Sequence, residues 1–338
     1  MLIAYDDGVA AHLSGAAHPE ASGRVAAVAA ELARRGMCNE LVETRPARPD
    51  ELARVHPPAY VELVRRVCSA LAEGEIGRLP TGDTDVDAAS FEAASRAAGA
   101  ALCALDRVDA ESRAAFALVR PPGHHAEPSR GMGFCVFNHA ALAARTAAIE
   151  GGRALVFDFD YHHGNGTQAC VGGGVSYYGS HASPAYPGTG DARENRIGPG
   201  GALVNVPLDA RGISTEAFIA LHARTLRVLA ERVRPTHLIV SAGYDVLAGD
   251  PVGDLGVEPS FARQMGRLIR EIADTFARGR TLFVLEGGYD PAALADGVAE
   301  TIAGYEDGVE ADIADERAIP PAQRALVRQI EEMALVHA

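Results

Sequence analysis

Residues Leu155 to Gln168 read LVFDFDYHHGNGTQ. The stretch opens apolar, as a strand buried on both faces does, and then places Asp158, Asp160 and His162 at alternate positions. In an extended chain that period keeps three side chains on one side. A carboxylate and an imidazole presented together at the C-terminal end of a strand can share a metal ion. Gly164 and Gly166 then permit a sharp turn into a helix. A plainer reading of the same residues is a polar turn, with the histidines hydrogen-bonded locally and the acids capping a helix.

Three further apolar stretches end in the same way. Ala114 to Val119 runs into RPPGHHAEPSRGMGFCVFNHA; THLIVSAGYD sets Asp245 just past Gly243; TLFVLEGGYD sets Tyr289 after Gly287 and Gly288. Shorter strands are expected at Leu2–Tyr5, Val175–Tyr178 and Leu203–Leu208. Between the strands, helical periodicity covers Arg24–Arg35, Ser90–Leu105, Asn138–Ile149, Thr215–Val233 and Ser260–Phe276, with a further helix after VHPP. Gly74–Asp87 reads as a loop whose Asp83, Asp85 and Asp87 form an acidic turn. Alternating strands and helices predict a three-layer α/β/α fold with a predominantly parallel sheet. Ligands of such folds gather at the C-terminal edge of the sheet. With no linker and no long repeat, residues 1–338 are expected to form a single domain.

Composition narrows the function. A hydrophobic content of 48% and a charged content of 22% are those of an ordinary globular protein. The formal charge of −14 argues against direct nucleic-acid binding and leaves neutral or cationic substrates easier to accept. Five cysteines without CxxC spacing imply no disulfide framework, which fits a reducing, cytoplasmic setting. The first residues do not resemble a secretory signal, and no apolar run reaches membrane-spanning length. Nothing in the sequence sets an oligomeric state.

Four separated segments therefore bring His124 and His125, the Asp158–His162 group, Asp245 and Tyr289 to equivalent strand ends. Two carboxylates and one histidine suit a mixed-ligand zinc site with open positions. There, zinc polarises a carbonyl and activates water, a histidine takes the proton, and a tyrosine hydroxyl supports an oxyanion. Taken singly, each residue has a structural alternative: Asp245 as a turn cap, Tyr289 as a half-buried aromatic, the histidine pair as backbone partners.

RPPGHHA, GFCVFN, DFDYHHGNGTQ, YPGTG, SAGYD and LEGGYD follow one another from Arg120 to Asp290, preceded by HPEASGR and DTDVDAASFEAA. In this order they resemble the zinc-dependent histone deacetylase superfamily, which includes bacterial class II-like deacetylases and acetylpolyamine amidohydrolases, on the arginase–deacetylase fold. The resemblance implies hydrolysis of the amide of acylated lysine side chains or related acylamines, releasing acetate or another carboxylate. It implies one catalytic Zn²⁺ on Asp160, His162 and Asp245, with His125 as general base. His124 paired with Asp158 is the electrostatic member of the tandem, Asn165 orients His125, and Tyr289 stabilises the tetrahedral intermediate. Gly133, Phe134 and Tyr186 match the substrate channel, Asp83 a rim carboxylate that binds substrate N–H groups, and Arg24 an arginine beneath the catalytic floor. A structural K⁺ or Na⁺ bound through Asp158 and the backbone around Asp160 and His162 is implied in the same way.

Several positions depart from the family pattern. Asp85 stands where relatives often carry an aromatic residue, which makes it a candidate selector for substrates with a distal ammonium. Asp87-Ala88-Ala89 replaces a Ser-Pro-Gly turn, YYGSH alters the segment tied to the cation site, and Val252 stands where some polyamine-selective relatives carry an acid. An acetylpolyamine or small-metabolite amidohydrolase is the alternative reading. A binuclear manganese ureohydrolase would need carboxylates where Gly164 and Leu247 stand, and a catalytically silent acyl-lysine-binding protein would lack a ligand, the base or the tyrosine.

Overall fold

The computed structural model describes residues 1–198 and 200–336. The sheet strands are β1 (Leu2–Tyr5), β2 (Leu41–Val42), β5 (Ala114–Leu118), β6 (Ala154–Asp158), β7 (Val175–Ser183), β8 (Arg196–Gly198), β9 (Gly201–Asp209), β10 (His237–Ala242) and β11 (Thr281–Leu285). They form one sheet in the order β2-β1-β5-β11-β10-β6-β7-β9-β8. Every neighbouring pair is parallel except β8 with β9 at one edge. The central strands β5, β6, β10 and β11 are buried at every position, which explains their unbroken apolar sequences. Across them, Phe116 stacks on Phe283 at 5.4 Å and Phe157 on Tyr178 at 5.3 Å.

Helices cover both faces. On one lie α1 (Gly23–Arg34), α7 (Thr215–Val233), α8 (Phe261–Phe276), α9 (Pro291–Glu306) and α10 (Pro321–Val336), packed side by side. On the other, α4 (Ser90–Glu111) and α5 (His139–Ala147) pack on the strands, with α2 (Pro49–Leu52) and α3 (Pro58–Ser69) outside α4. The amphipathic spacing of α8 shows why it docks: Phe261, Met265, Leu268, Ile269 and Ile272 are all buried. The expected three-layer architecture is therefore present, and α7 has the bounds read from the sequence.

Three local expectations need correction. The segment from Gly74 to Asp87 is not wholly loop, because β3 (Gly77–Arg78) and β4 (Asp85–Val86) pair antiparallel. Arg78 and Asp85 are cross-strand partners there, and opposite charges favour that pairing. Helix α4 continues past Leu105 to Glu111; Val108 keeps its buried face while charged residues point outward. Most consequentially, β6 stops at Asp158, so strand alternation is not what aligns Asp160 and His162. The chain bends in two local turns instead: Asp160 N–H donates to Asp158 Oδ1 (3.1 Å) and His162 N–H to Asp160 Oδ1 (2.9 Å). Aspartates favour this bond to the backbone two residues on.

Candidate active site

The bend after β6 lies beside the loop after β10, since these strands pair with Ser241 opposite Asp158. Asp160, His162 and Asp245 are buried there, with one ligand atom from each lying within 4.8 Å of the others. His162 Nδ1 is 3.3 Å from Asp160 Oδ1 and 3.0 Å from Asp245 Oδ2. The opposite oxygens are occupied: Gly287 N–H donates to Asp160 Oδ2 (2.8 Å) and Tyr161 N–H to Asp245 Oδ1 (3.0 Å). Each carboxylate is thus held from behind on one oxygen and turns the other to the imidazole, the Asp160 Oδ1 accepting from His162 N–H as well. Such outer hydrogen bonds are what orient metal ligands. A Cβ on Gly243 would lie 2.0 Å from Asp160 Oδ2, and one on Gly287 2.5 Å from Asp245 Oδ2, so both backbones sit against the carboxylates.

Burial and then the neighbouring Asp160 push the Asp245 carboxyl up to about 6. A bound cation would relieve that repulsion. Two carboxylates, one imidazole and room for further ligands form the donor set of a catalytic zinc site, and the residues fit the ion. Among the described residues this is the one such cluster, and Gly164 and Leu247 supply no bridging acid.

The loop after β5 brings the histidine tandem over this cluster. His124 Nδ1 meets Asp158 Oδ2 at 3.1 Å. Burial alone would lower its basicity, but the Asp160 and Asp158 carboxylates outweigh burial and hold it well above the usual histidine range. His125 is driven the opposite way, first by burial and then by the positive neighbours His124 and His162. Its Nδ1 meets Asn165 Oδ1 at 2.8 Å, at the start of the short helix α6 (Asn165–Gln168).

A cavity of about 270 Å³ reaches this centre, and His125, His162 and Tyr289 line it together with Phe134 and Tyr186. Phe134 has a left-handed backbone, φ +68°, uncommon for a residue with a side chain. That strain sets its ring edge-on to Tyr289 at 5.9 Å and to His18 at 4.8 Å. Tyr186 stands edge-on to His125 at 5.1 Å. Gly133 N–H and the Tyr186 hydroxyl both donate to Asp83, at 2.9 and 3.0 Å. A carboxylate has about four lone-pair positions, so Asp83 keeps acceptor capacity. Asp85 is placed differently from the acidic selector expected of it: its Oδ1 accepts from Arg78 Nε at 2.8 Å, and it is Arg78, with Val252, that reaches the cavity lining.

Beneath Tyr289 the guanidinium of Arg24 is fully buried. It donates to Gly288 O (2.5 Å), Glu286 O (2.6 Å) and Glu20 Oε1 (2.9 Å). Arg120 approaches the same Glu20 oxygen at 3.0 Å. Sequence reasoning placed Arg24 and, four residues before it, the partner Glu20, but missed Arg120 as the second cation on Glu20. It also missed Glu286, whose Oε2 accepts from the N–H groups of Gly123 (2.7 Å) and His124 (3.0 Å). Asp250 was missed as well, although its Oδ2 accepts from Tyr289 N–H at 2.7 Å. Glu286 stands inside the quoted motif LEGGYD, so a buried acid there was the available signal; Asp250 gave none.

Comparison with known proteins agrees with this geometry. Residues 18–305 match the model of the histone deacetylase domain. "Histone deacetylase 10, chloroplastic" of Oryza sativa subsp. japonica is 35% identical over 309 residues, which cover 86% of this chain and 70% of the rice protein. "Histone deacetylase-like amidohydrolase" of Pseudomonas aeruginosa is 35% identical over 82% of this chain and 74% of its own. The crystal structure of the HDA15 HD domain superposes with a TM-score of 0.86 at 29% identity, covering 99% of this chain and 95% of that one. With its metal-ligand cluster, histidine tandem and strand-end tyrosine in one cavity, the chain belongs to the histone deacetylase family.

Proposed function

We propose that the chain, acting as one domain, is a zinc-dependent amidohydrolase that cleaves the amide of an acylated lysine side chain or a related acylamine. One observation carries the reading: the base His125, the ligand His162 and the donor Tyr289 line a single cavity whose walls are two aromatic rings. Flat apolar walls suit an alkyl stem. Asp160, His162 and Asp245 would hold the ion, which supplies Lewis-acid polarisation of the scissile carbonyl and a more acidic water.

The chain's own residues account for the proton movements. His125, kept neutral by burial and by the positive charge of His124, takes a proton from the attacking water and delivers it to the leaving amine nitrogen. His124, hydrogen-bonded to Asp158, keeps its proton and offsets the negative charge that develops. The Tyr289 hydroxyl donates to the tetrahedral oxyanion. Asp83 receives N–H groups of a peptide at the mouth, while Asp158 and the backbone of Asp160 and His162 are the groups to which we assign a structural K⁺ or Na⁺. The five cysteines stand free, which supports the reducing, cytoplasmic setting that we assign to the enzyme.

Zinc-loaded protein should hydrolyse acetyl-lysine peptides in a panel that also holds N-acetylpolyamines and small acylated metabolites. Tyr289→Phe should keep its zinc and lose roughly 10²- to 10³-fold in kcat. Hydrolysis of none of the panel by fully metallated protein would overturn the proposal.

A further inference from the structure

Behind the Asn165 that meets His125 stands a carboxylate. Asn165 Nδ2 donates to Glu127 Oε1 at 2.9 Å, while Asn165 Oδ1 faces His125 Nδ1 at 2.8 Å. His125 and Asn165 are buried and Glu127 is half-buried. Glu127 is itself fixed, because its backbone pairs with Arg130 in both directions, at 2.9 and 3.2 Å.

An amide side chain can sit in either of two flipped orientations, and its neighbours decide which. Were the Asn165 amide turned over, its oxygen would face the Glu127 carboxylate with no proton between them. The carboxylate therefore favours the observed orientation, together with the His125 backbone carbonyl, which accepts from Asn165 Nδ2 at 3.4 Å. With Oδ1 toward the imidazole, only a protonated Nδ1 completes that bond, and the lone pair is left on Nε2. With the amide turned over, Nδ2 would donate to Nδ1, and the imidazole proton would sit on Nε2, where a base needs its lone pair.

We propose that Glu127 is a positioning residue that, through the Asn165 amide, selects the base-competent tautomer of His125. This rests on the hydrolase reading above, in which His125 is the base. An anion behind the amide also strengthens its carbonyl as an acceptor, since hydrogen bonds in a chain polarise one another. Glu127 never touches substrate, and its effect reaches the reaction only through the orientation of one amide.

The test uses zinc-loaded protein with ¹⁵N-labelled histidine, the His125 signals being identified by their loss in His125→Gln. Wild type should show His125 protonated at Nδ1. Glu127→Gln keeps the shape but can donate as well as accept, so it should give a mixture of tautomers. Its kcat for an acetyl-lysine peptide should fall roughly 10-fold or more, with KM within about twofold. In Glu127→Gln/Asn165→Asp the residue at 165 can only accept, so the pure Nδ1–H form should return and kcat should recover most of its loss. An unchanged Nδ1–H tautomer with wild-type kcat in Glu127→Gln would overturn the proposal, as would failure of the double variant to restore the tautomer. Absence of turnover in wild type would count against the hydrolase reading alone, because the tautomer is read without substrate.

Discussion

The guanidinium carbon of Arg24 lies 4.9 Å from the centre of the Tyr289 ring. The same group binds the carbonyls of Glu286 and Gly288, so one buried cation fixes both the ring that faces the cavity and the backbone that carries it. Replacing Arg24 by Met would keep the apolar stem but strand Glu20, whose carboxyl burial already raises, with Arg120 alone. Breaking a buried ion pair on one side costs about 3–5 kcal/mol. Arg24→Met should therefore lose stability of that order in urea unfolding, and its kcat should fall even where the protein is fully folded. Wild-type kcat in folded Arg24→Met would show that Tyr289 needs no support from below.

Gly243 predicts how tightly the metal cluster is built. A methyl group there would come within 2.0 Å of Asp160 Oδ2, so Gly243→Ala must displace either the β10 end or the ligand. Zinc affinity should drop by roughly 10- to 100-fold, measured by competition with a chelator. Parental affinity in this variant would mean that the carboxylate has slack the geometry does not show.

Much of this site was legible in the sequence because glycine-bearing polar loops followed apolar strands, and because a family's motif order fixed which residues converge. The convergence of Asp160 and His162 was anticipated for the wrong local reason: alternation along β6 ends at Asp158, and two aspartate-to-backbone turns take over. Glu127 and Glu286 were not legible as partners. A buried carboxylate has no periodicity, and its bonds join residues far apart in the chain, such as Gly123 and Glu286. The Arg78–Asp85 pair escaped for a related reason, since two-residue strands offer too little alternation to reveal a hairpin.

The rim carries the third prediction. Asp85 is paired with Arg78, and Arg78 lines the mouth. Arg78→Ala should raise kcat/KM for cationic acylamines relative to neutral ones of equal length. Asp85→Asn should lower that ratio, by freeing the guanidinium charge. Both effects should shrink as salt rises, because exposed charges are screened over about 10 Å at 0.1 M. A ratio that ignores both substitutions would place the charges outside the substrate's reach.

His56 predicts an acid limit to stability. Its Nδ1 faces Pro128 O at 3.1 Å and its Nε2 accepts from Asn138 N–H at 2.9 Å, an arrangement that only the neutral ring satisfies. Burial first of all lowers its pKa from 6.5 to about 4. The unfolded chain therefore takes up this proton near pH 6.5 while the folded chain resists it. The stability tied to the neutral ring is complete above 6.5 and lost as pH falls toward 4, amounting to at most about 3 kcal/mol. Unfolding free energies across that window should fall less steeply in His56→Gln; equal slopes would remove His56 from the acid transition.

Strand β11 lies between β5 and β10 in the sheet although it comes last of the three in the chain. While the protein is being synthesised, everything up to β10 can emerge from the ribosome before the strand that joins the two halves exists. Until residues 281–285 arrive, β5 and β10 each present an unpaired edge, the kind of surface on which chains associate wrongly. The late strand also brings Glu286, Gly287 and Tyr289, so sheet closure and assembly of the reaction centre are one event. A nascent chain must wait for its last strand before it can hold its metal ligands in place.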